Sequence, residues 1–387
     1  MGEKKKALLI IAGGRALPDA IAFFYVKPEI VVYIKSEEGW DFEKGFIDVV
    51  ESSSICKECQ PISDINAYSL AAGQKACEQA IQLYPEADWT ITIGAGPKVT
   101  GIAAYEFAKQ RNIPCLYIST LYDKLVSVER DVIVEAPAET FHPNVEMYMK
   151  LYHRTCSPHH MEKIPKYRSL VESWSHIANE LALSKYTADF TVVMHDKKVG
   201  EIGFISDPDL AASPLLELLS NTYKLIKLDT DATGSITCQF TSPAAAQFLG
   251  TGDWLELYAW NEVPTIVDGK RFVDDHQRAW YVSDGQAKKE LDLLIMYKAQ
   301  IIIGECKTGK GAFGSNHIDK LHSISHWLGG RAVTKLLITD QPKSRRSYQS
   351  LKDLAHQLGV VIITREDLPQ LRDVLKRQIE RPTFPRI

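Results

Sequence analysis

The sequence predicts an α/β protein in three parts: an N-terminal doubly wound, mostly parallel sheet, a small α+β connector, and a second α/β unit at the C-terminal end. Three observations carry this. Residues 7–11, 30–34, 89–93 and 115–118 are short continuous apolar runs separated by stretches of helical spacing, the pattern of strands buried on both faces. Around residues 137–165 the composition shifts, with Pro137, Pro143, Pro158, Pro165 and a cluster of histidines. From about residue 244 a new order begins: helix, long hairpin, helix, strand, helix, strand, helix. The expected division is therefore 1–155, 156–243 and 244–387.

Taken in order, residues 7–11 form a strand broken by Gly13 and Gly14, and residues 17–25 the helix that follows. A strand at 30–34 comes next. Residues 66–83 place Leu70, Cys77, Ala80, Ile81 and Leu83 on one stripe, the spacing of an amphipathic helix. Strand 89–93, helix 99–109 and strand 115–118 complete this part. Residues 167–184 read as one connecting helix. The apolar runs 190–194 and 199–205, around Asp196, Lys197 and Lys198, read as a hairpin. A short helix after Ser213 and Pro214 and strands near 224–228 and 236–240 close the middle part.

At 387 residues the chain is long for one core. With 45% hydrophobic and 24% charged residues its composition is globular. The formal charge of −4 excludes a protein coated in positive charge, so nucleic-acid contact has to be local. Residues 341–387 form a basic stretch, with ten Lys/Arg against five Asp/Glu. The apolar run after the basic first residues is too short for a signal peptide, and no segment reaches the ~18 apolar residues of a membrane span. The chain carries seven cysteines. A reduced, cytoplasmic protein without membrane attachment is expected.

The chemistry concentrates in residues 290–310. Residues 291–296 and 301–306 are two apolar runs joined at 297–300, a hairpin in which paired residue numbers sum to 597. That register sets Asp292 opposite Glu305 and Glu290 opposite Lys307, with directly paired side chains about 5 Å apart on one face. Charges in such apolar company are paired or bind a metal. Two carboxylates this close repel unless a cation lies between them, and a hard divalent ion such as Mg²⁺ or Mn²⁺ prefers their oxygens. Lys307 beside it can orient or deprotonate water, or stabilise charge building on a phosphate. The plainer reading is a cross-strand salt bridge on a solvated sheet face. Glu256 lies in a helix that Asp253 can cap, and is the third carboxylate of the candidate set.

The order Gly252-Asp253-Trp254-Leu255-Glu256, then Glu290-Leu291-Asp292, then Gly304-Glu305-Cys306-Lys307-Thr308 resembles the nuclease half of CARF-domain ancillary nucleases of type III CRISPR defence, whose core is restriction-endonuclease-like, of the PD-(D/E)xK type. The resemblance implies an N-terminal Rossmann-like CARF domain that senses a cyclic oligoadenylate, commonly cyclic tetra-adenylate. It implies a homodimer whose metal-dependent nuclease, using Mn²⁺ or Mg²⁺, cleaves single-stranded RNA or DNA. By that pattern Glu256, Asp292, Glu305 and Lys307 are the catalytic set, with Asp292, Glu305 and Glu256 on the metal. The competing expectation is a nucleotide-sensing regulatory protein that binds nucleic acid without cutting it.

The resemblance extends to two loops, Gly13-Gly14-Arg15 and Gly94-Ala95-Gly96-Pro97-Lys98, which match the ligand loops of CARF domains. Both leave carboxyl ends of strands, where doubly wound sheets bind ligands. Glycines admit close backbone approach, helix-start amides face phosphates, and Arg15 and Lys98 add charge. Pro97 departs from the family's usual hydroxyl at its position.

Other patterns are near misses. Gly94-x-Gly96 lacks dinucleotide-binding spacing, and residues 304–311 put Gly311 where a phosphate-binding loop needs a hydroxyl. Cys56 and Cys59 with Cys156, His159 and His160 make only one CxxC. His322 and His326 share a helix face; with His317 and Lys320 they are candidates for substrate-backbone contacts or supporting partners.

Overall fold

The computed structural model describes residues 4–14, 16–37, 42–120, 124–128, 130, 132–134, 141–158, 167–330 and 333–383. Seven strands form the N-terminal sheet: β1 (Lys6–Ile11), β2 (Ile30–Ser36), β3 (Glu58–Ile65), β4 (Asp88–Thr92), β5 (Cys115–Ser119), β6 (Lys124–Ser127) and β7 (Val132–Val134). They lie in the order β3-β2-β1-β4-β5-β6-β7. The first five are parallel and the last two antiparallel. Leu8 and Ile10 pack into one apolar cluster, Ala7, Leu9 and Ile11 into another, so β1 is apolar throughout because both its faces are covered. Chain order reverses between β1 and β4, the switch point at whose carboxyl edge such sheets open a crevice.

The expected strands of this sheet are present. The helix expected from residue 66 starts at Leu70, because Ser69 caps it by accepting from the Ala72 N–H. The helix Phe42–Ser52 and strand β3 were not anticipated; β3 is a sheet edge with mostly exposed or half-buried residues, so it lacks the continuous apolar signal.

Strand β8 (Thr155–Pro158) lies within the proline-rich shift and joins the C-terminal sheet rather than the N-terminal one. The expected single helix over 167–184 is two, Tyr167–Ser173 and Ser175–Leu183, parted at Trp174. The hairpin expected at 190–205 is absent. Residues 190–194 end a helix, Thr187–Met194, in which Thr187, Phe190, Thr191 and Met194 are all buried. That three-to-four-residue spacing overrides the strand preference of Phe190, Val192 and Val193. Strands β9 (Gly203–Ile205), β10 (Ile226–Thr230) and β11 (Ile236–Phe240) form a small antiparallel sheet.

After a minor hairpin, β12 (Ile266–Val267) and β13 (Lys270–Arg271), come β14 (Asp275–Ser283), β15 (Lys288–Tyr297), β16 (Gln300–Lys307), β17 (Thr334–Thr339) and β18 (Val360–Ile363). The sheet order is β18-β17-β16-β15-β14-β8. β14, β15 and β16 are antiparallel; β16, β17 and β18 are parallel. Leu293, Ile295, Ile302 and Cys306 share a core with the helix Asp253–Asn261, whereas Leu294, Met296, Ile301 and Ile303 share one with the helix Ser315–Trp327. The acid-bearing hairpin expected from sequence therefore sits at the centre of a three-layer unit.

Its turn is two residues long, Lys298 and Ala299, with φ of +48° and +64°, the left-handed pair that matches strand twist. Asp274 fastens this turn, accepting from the Lys298 N–H at 2.6 Å and pairing with His142 at 2.6 Å. Gln300, the first residue of β16, donates through its side chain to the carbonyl of Thr120, the residue after β5, at 3.2 Å.

Candidate active site

The hairpin register is the expected one from Tyr297↔Gln300 to Leu293↔Gly304. There the ladder ends. On the other side of β15, Ala279 has a φ of +52° and drops out of the β14–β15 pairing between Arg278↔Leu293 and Trp280↔Leu291. Asp292 thus sits where pairing lapses on both flanks, and its Oδ2 accepts the Cys306 N–H at 2.7 Å. A carboxylate can occupy a central strand at 1% exposure because it takes over a hydrogen bond the ladder gave up.

Lys307 joins the two strands. Its Nζ lies 2.8 Å from Asp292 Oδ2 and 2.9 Å from Glu305 Oε1, and donates to the Cys306 carbonyl at 2.9 Å. Glu305, 1% exposed, is also gripped by Lys320 from the helix Ser315–Trp327, at 2.8 and 2.6 Å. His317, one turn earlier, stands 3.9 Å away. Glu256 arrives from the first turn of the helix Asp253–Asn261. Asp253 is the first residue of that helix rather than its cap; Gly252 holds the cap position at φ +92°, and a Cβ there would come within 2.6 Å of Thr308 Oγ1. Asp253 instead accepts from Tyr167 at 2.6 Å, Thr251 at 2.7 Å and Gln247 at 3.1 Å.

The structure therefore brings all four expected residues together and adds Glu290, Lys320 and His317. Glu256, Glu290 and Asp292 each offer an oxygen within 4.8 Å of the others, the one group of three or more potential metal ligands among the described residues. Glu305 faces the two lysines instead. Glu290 was visible in sequence as the hairpin partner of Lys307, but strand alternation alone does not show that the ladder stops at Asp292, which decides which acids converge.

Electrostatics define what this cluster accepts. Burial, then Asp292 and Asp253, push the Glu256 carboxyl well above its ordinary range. Burial and Asp292 raise Glu290 to about 7, and the same two causes raise Glu305. For Lys307 burial acts downward, but Asp292, Glu305 and Glu256 outweigh it and hold the ammonium protonated. Four acids against Lys307 and Lys320 leave a formal −2 when all are ionised, which one divalent cation cancels. An all-oxygen donor set suits a hard ion of the Mg²⁺ or Mn²⁺ kind.

At the other end of the chain, the two glycine loops leave adjacent strands, β1 and β4. They interlock: a Cβ on Gly13 would overlap the Ala95 carbonyl, and one on Gly96 would overlap Ile11. Gly14 is exposed and open, Gly94 lies against Ile118 and Tyr117, and Lys98 is exposed in the first turn of the helix Lys98–Arg111. Pro97, at the cap position, makes no side-chain cap, so the helix-start amides are not spent on one. Arg15 lies outside the described residues.

The near misses resolve. Gly304, Glu305 and Cys306 lie within β16, so residues 304–311 form no phosphate-cradling loop. The cysteines are free, none joins a metal-holding group among the described residues, and His159 and His160 lie outside those residues. No helix of the described residues is long and apolar enough to cross a membrane.

Residues 244–381 match the family model of the Card1-like endonuclease domain. No curated protein matches the sequence. Among solved structures, Can2 from Sulfobacillus thermosulfidooxidans, in complex with cyclic tetra-adenylate, aligns at TM-score 0.73 and 17% identity over 97% of both chains. VC1899 from Vibrio cholerae aligns at 0.73 and 18% over 97% of this chain and 98% of its own. A type III CRISPR defence DNA nuclease activated by cyclic oligoadenylate aligns at 0.55 and 12%, over all of this chain and 53% of its own. At these identities the structural likenesses speak for the fold alone, a doubly wound domain followed by a second α/β domain. Residues 244–381 thus match the Card1-like endonuclease domain, in a chain whose fold is shared end to end with Can2 and VC1899.

Proposed function

We propose that this protein is a cyclic-oligoadenylate-activated, metal-dependent endonuclease of type III CRISPR defence, acting in the cytoplasm as a homodimer on single-stranded RNA or DNA. In this reading residues 1–155 are the sensor, 156–243 the connector and 244–387 the nuclease. The observation that carries it is the convergence of Glu256, Glu290 and Asp292 beside the Asp292–Lys307–Glu305 bridge within the matched endonuclease domain.

Glu256, Glu290 and Asp292 would hold the metal. When bound, a divalent cation of this kind polarises a phosphodiester and lowers the pKa of water. The chain's own residues do the rest. Lys307, kept protonated by the carboxylates around it, is a hydrogen-bond donor to a phosphate oxygen or a water and not a base. Lys320 holds the buried Glu305, with His317 beside it, fixing the acid that fixes Lys307.

Gly13, Gly14, Arg15 and Gly94 to Lys98 are the proposed ligand loops, with cyclic tetra-adenylate as the activator. The support is their adjacency at the switch point and the likeness to Can2, whose structure holds that ligand. The test is cleavage of end-labelled single-stranded RNA and DNA with Mn²⁺, with and without cyclic tetra-adenylate. Cleavage that needs both supports the proposal; ligand binding with no cleavage of either substrate supports a purely regulatory binder instead.

A further inference from the structure

His322 and His326 lie one turn apart on the helix Ser315–Trp327, with rings at 88° and Nε2 atoms 3.2 Å apart. Two imidazole lone pairs at that distance repel unless a proton or a cation sits between them. With metal–nitrogen bonds of about 2.0–2.1 Å, a 3.2 Å separation corresponds to a ligand–metal–ligand angle of about 99–106°, near the tetrahedral value. His322 Nδ1 is buried and without a hydrogen-bond partner, so Nε2 is the atom through which this ring makes its polar contact. His326 is exposed, which gives an ion a direct path from solvent. Burial, then His326 and Lys335, hold His322 below the usual imidazole range, with Asp319 acting the other way.

We propose that His322 and His326 form a second metal site, for a late first-row divalent ion that prefers imidazole nitrogen, such as zinc or nickel, with water completing the shell. It is chemically distinct from the carboxylate cluster, whose oxygens favour harder ions. It lies on the helix that delivers His317 and Lys320 to Glu305. Chelation across residues 322 and 326 clips the last turn of that helix, which stiffens the support of the acid-lysine bridge. The inference does not rest on the proposed nuclease reaction, since its test reads metal binding alone.

The experiment is calorimetric titration of Ni²⁺ into the full chain carrying Glu290→Gln and Asp292→Asn, which disables the carboxylate cluster, against the same chain with His326→Ala. Because His326 is exposed, the substitution leaves the core untouched, and thermal melting checks this. The expected result is Ni²⁺ binding that weakens about tenfold or more when His326 is removed, with His322→Ala behaving alike. Binding that is unchanged without His326, or no binding at all, overturns the proposal and makes the 3.2 Å contact an imidazole–imidazole hydrogen bond.

Discussion

Replacing Glu290 by Gln should move stability and metal response in opposite directions. In the metal-free protein Glu290 shares a space no wider than 4.8 Å with Glu256 and Asp292. Two unit charges at about that distance repel by about 3–4 kcal/mol at an effective dielectric constant of 20, and the facing lysines cancel part of it. The amide keeps the shape and sheds the charge, so the metal-free chain should gain about 1–3 kcal/mol. The same change lowers the formal charge of the cluster from −2 to −1 and removes one oxygen anion. Mn²⁺ should then bind at least about tenfold more weakly, about 1.4 kcal/mol. Thermal melts of wild type and Glu290→Gln, each in EDTA and across a Mn²⁺ series, read both effects at once. A variant that melts lower in EDTA, or that keeps the full Mn²⁺-induced rise, refutes Glu290 as a member of the cluster.

Lys307→Met should abolish cleavage and cost about 3–5 kcal/mol, because Asp292 and Glu305, each 1% exposed, lose the ammonium between them; urea melts beside a cleavage assay check both. Gly13→Ala should force the two glycine loops apart and, on the proposed assignment of these loops, remove cyclic tetra-adenylate binding while leaving the Mn²⁺-induced thermal shift in place, as measured by calorimetry and melting. Lys335, 1% exposed on β17, has its pKa lowered to about 8 by burial. The unfolded chain therefore holds the extra proton between about pH 8 and 10.5, and stability rises across that window. Lys335→Met should add about 1–3 kcal/mol at pH 7, an advantage that fades toward pH 10.5 in urea melts taken across pH.

Much of this was legible in the residues. The hairpin register followed from two apolar runs and a short join, because a period of two leaves little freedom once both faces are buried. The interlocking loops were legible as glycines at strand ends. What stayed hidden depended on distant packing. The helix Thr187–Met194 reads locally as strand, and only its burial against the rest of the chain explains it. β14 escaped because Arg278 and the left-handed Ala279 break its alternation. β8 escaped because a four-residue strand reaches a sheet whose other members begin over a hundred residues later. The membership of Glu290 turned on where the ladder stops, which no periodicity encodes.

The contact between Gln300 and Thr120 makes β16 a pushrod. One end is pinned to the carbonyl that closes β5, the neighbour of the strand feeding the Gly94 loop. The other, about 17–23 Å along at ~3.3 Å per residue, carries Glu305 and Lys307. β17 pairs with β16 from Ile302 to Lys307 while β15 leaves it after Gly304, so a displacement at Thr120 would pass through the Gln300 side chain and then along one ladder to the acid-lysine bridge.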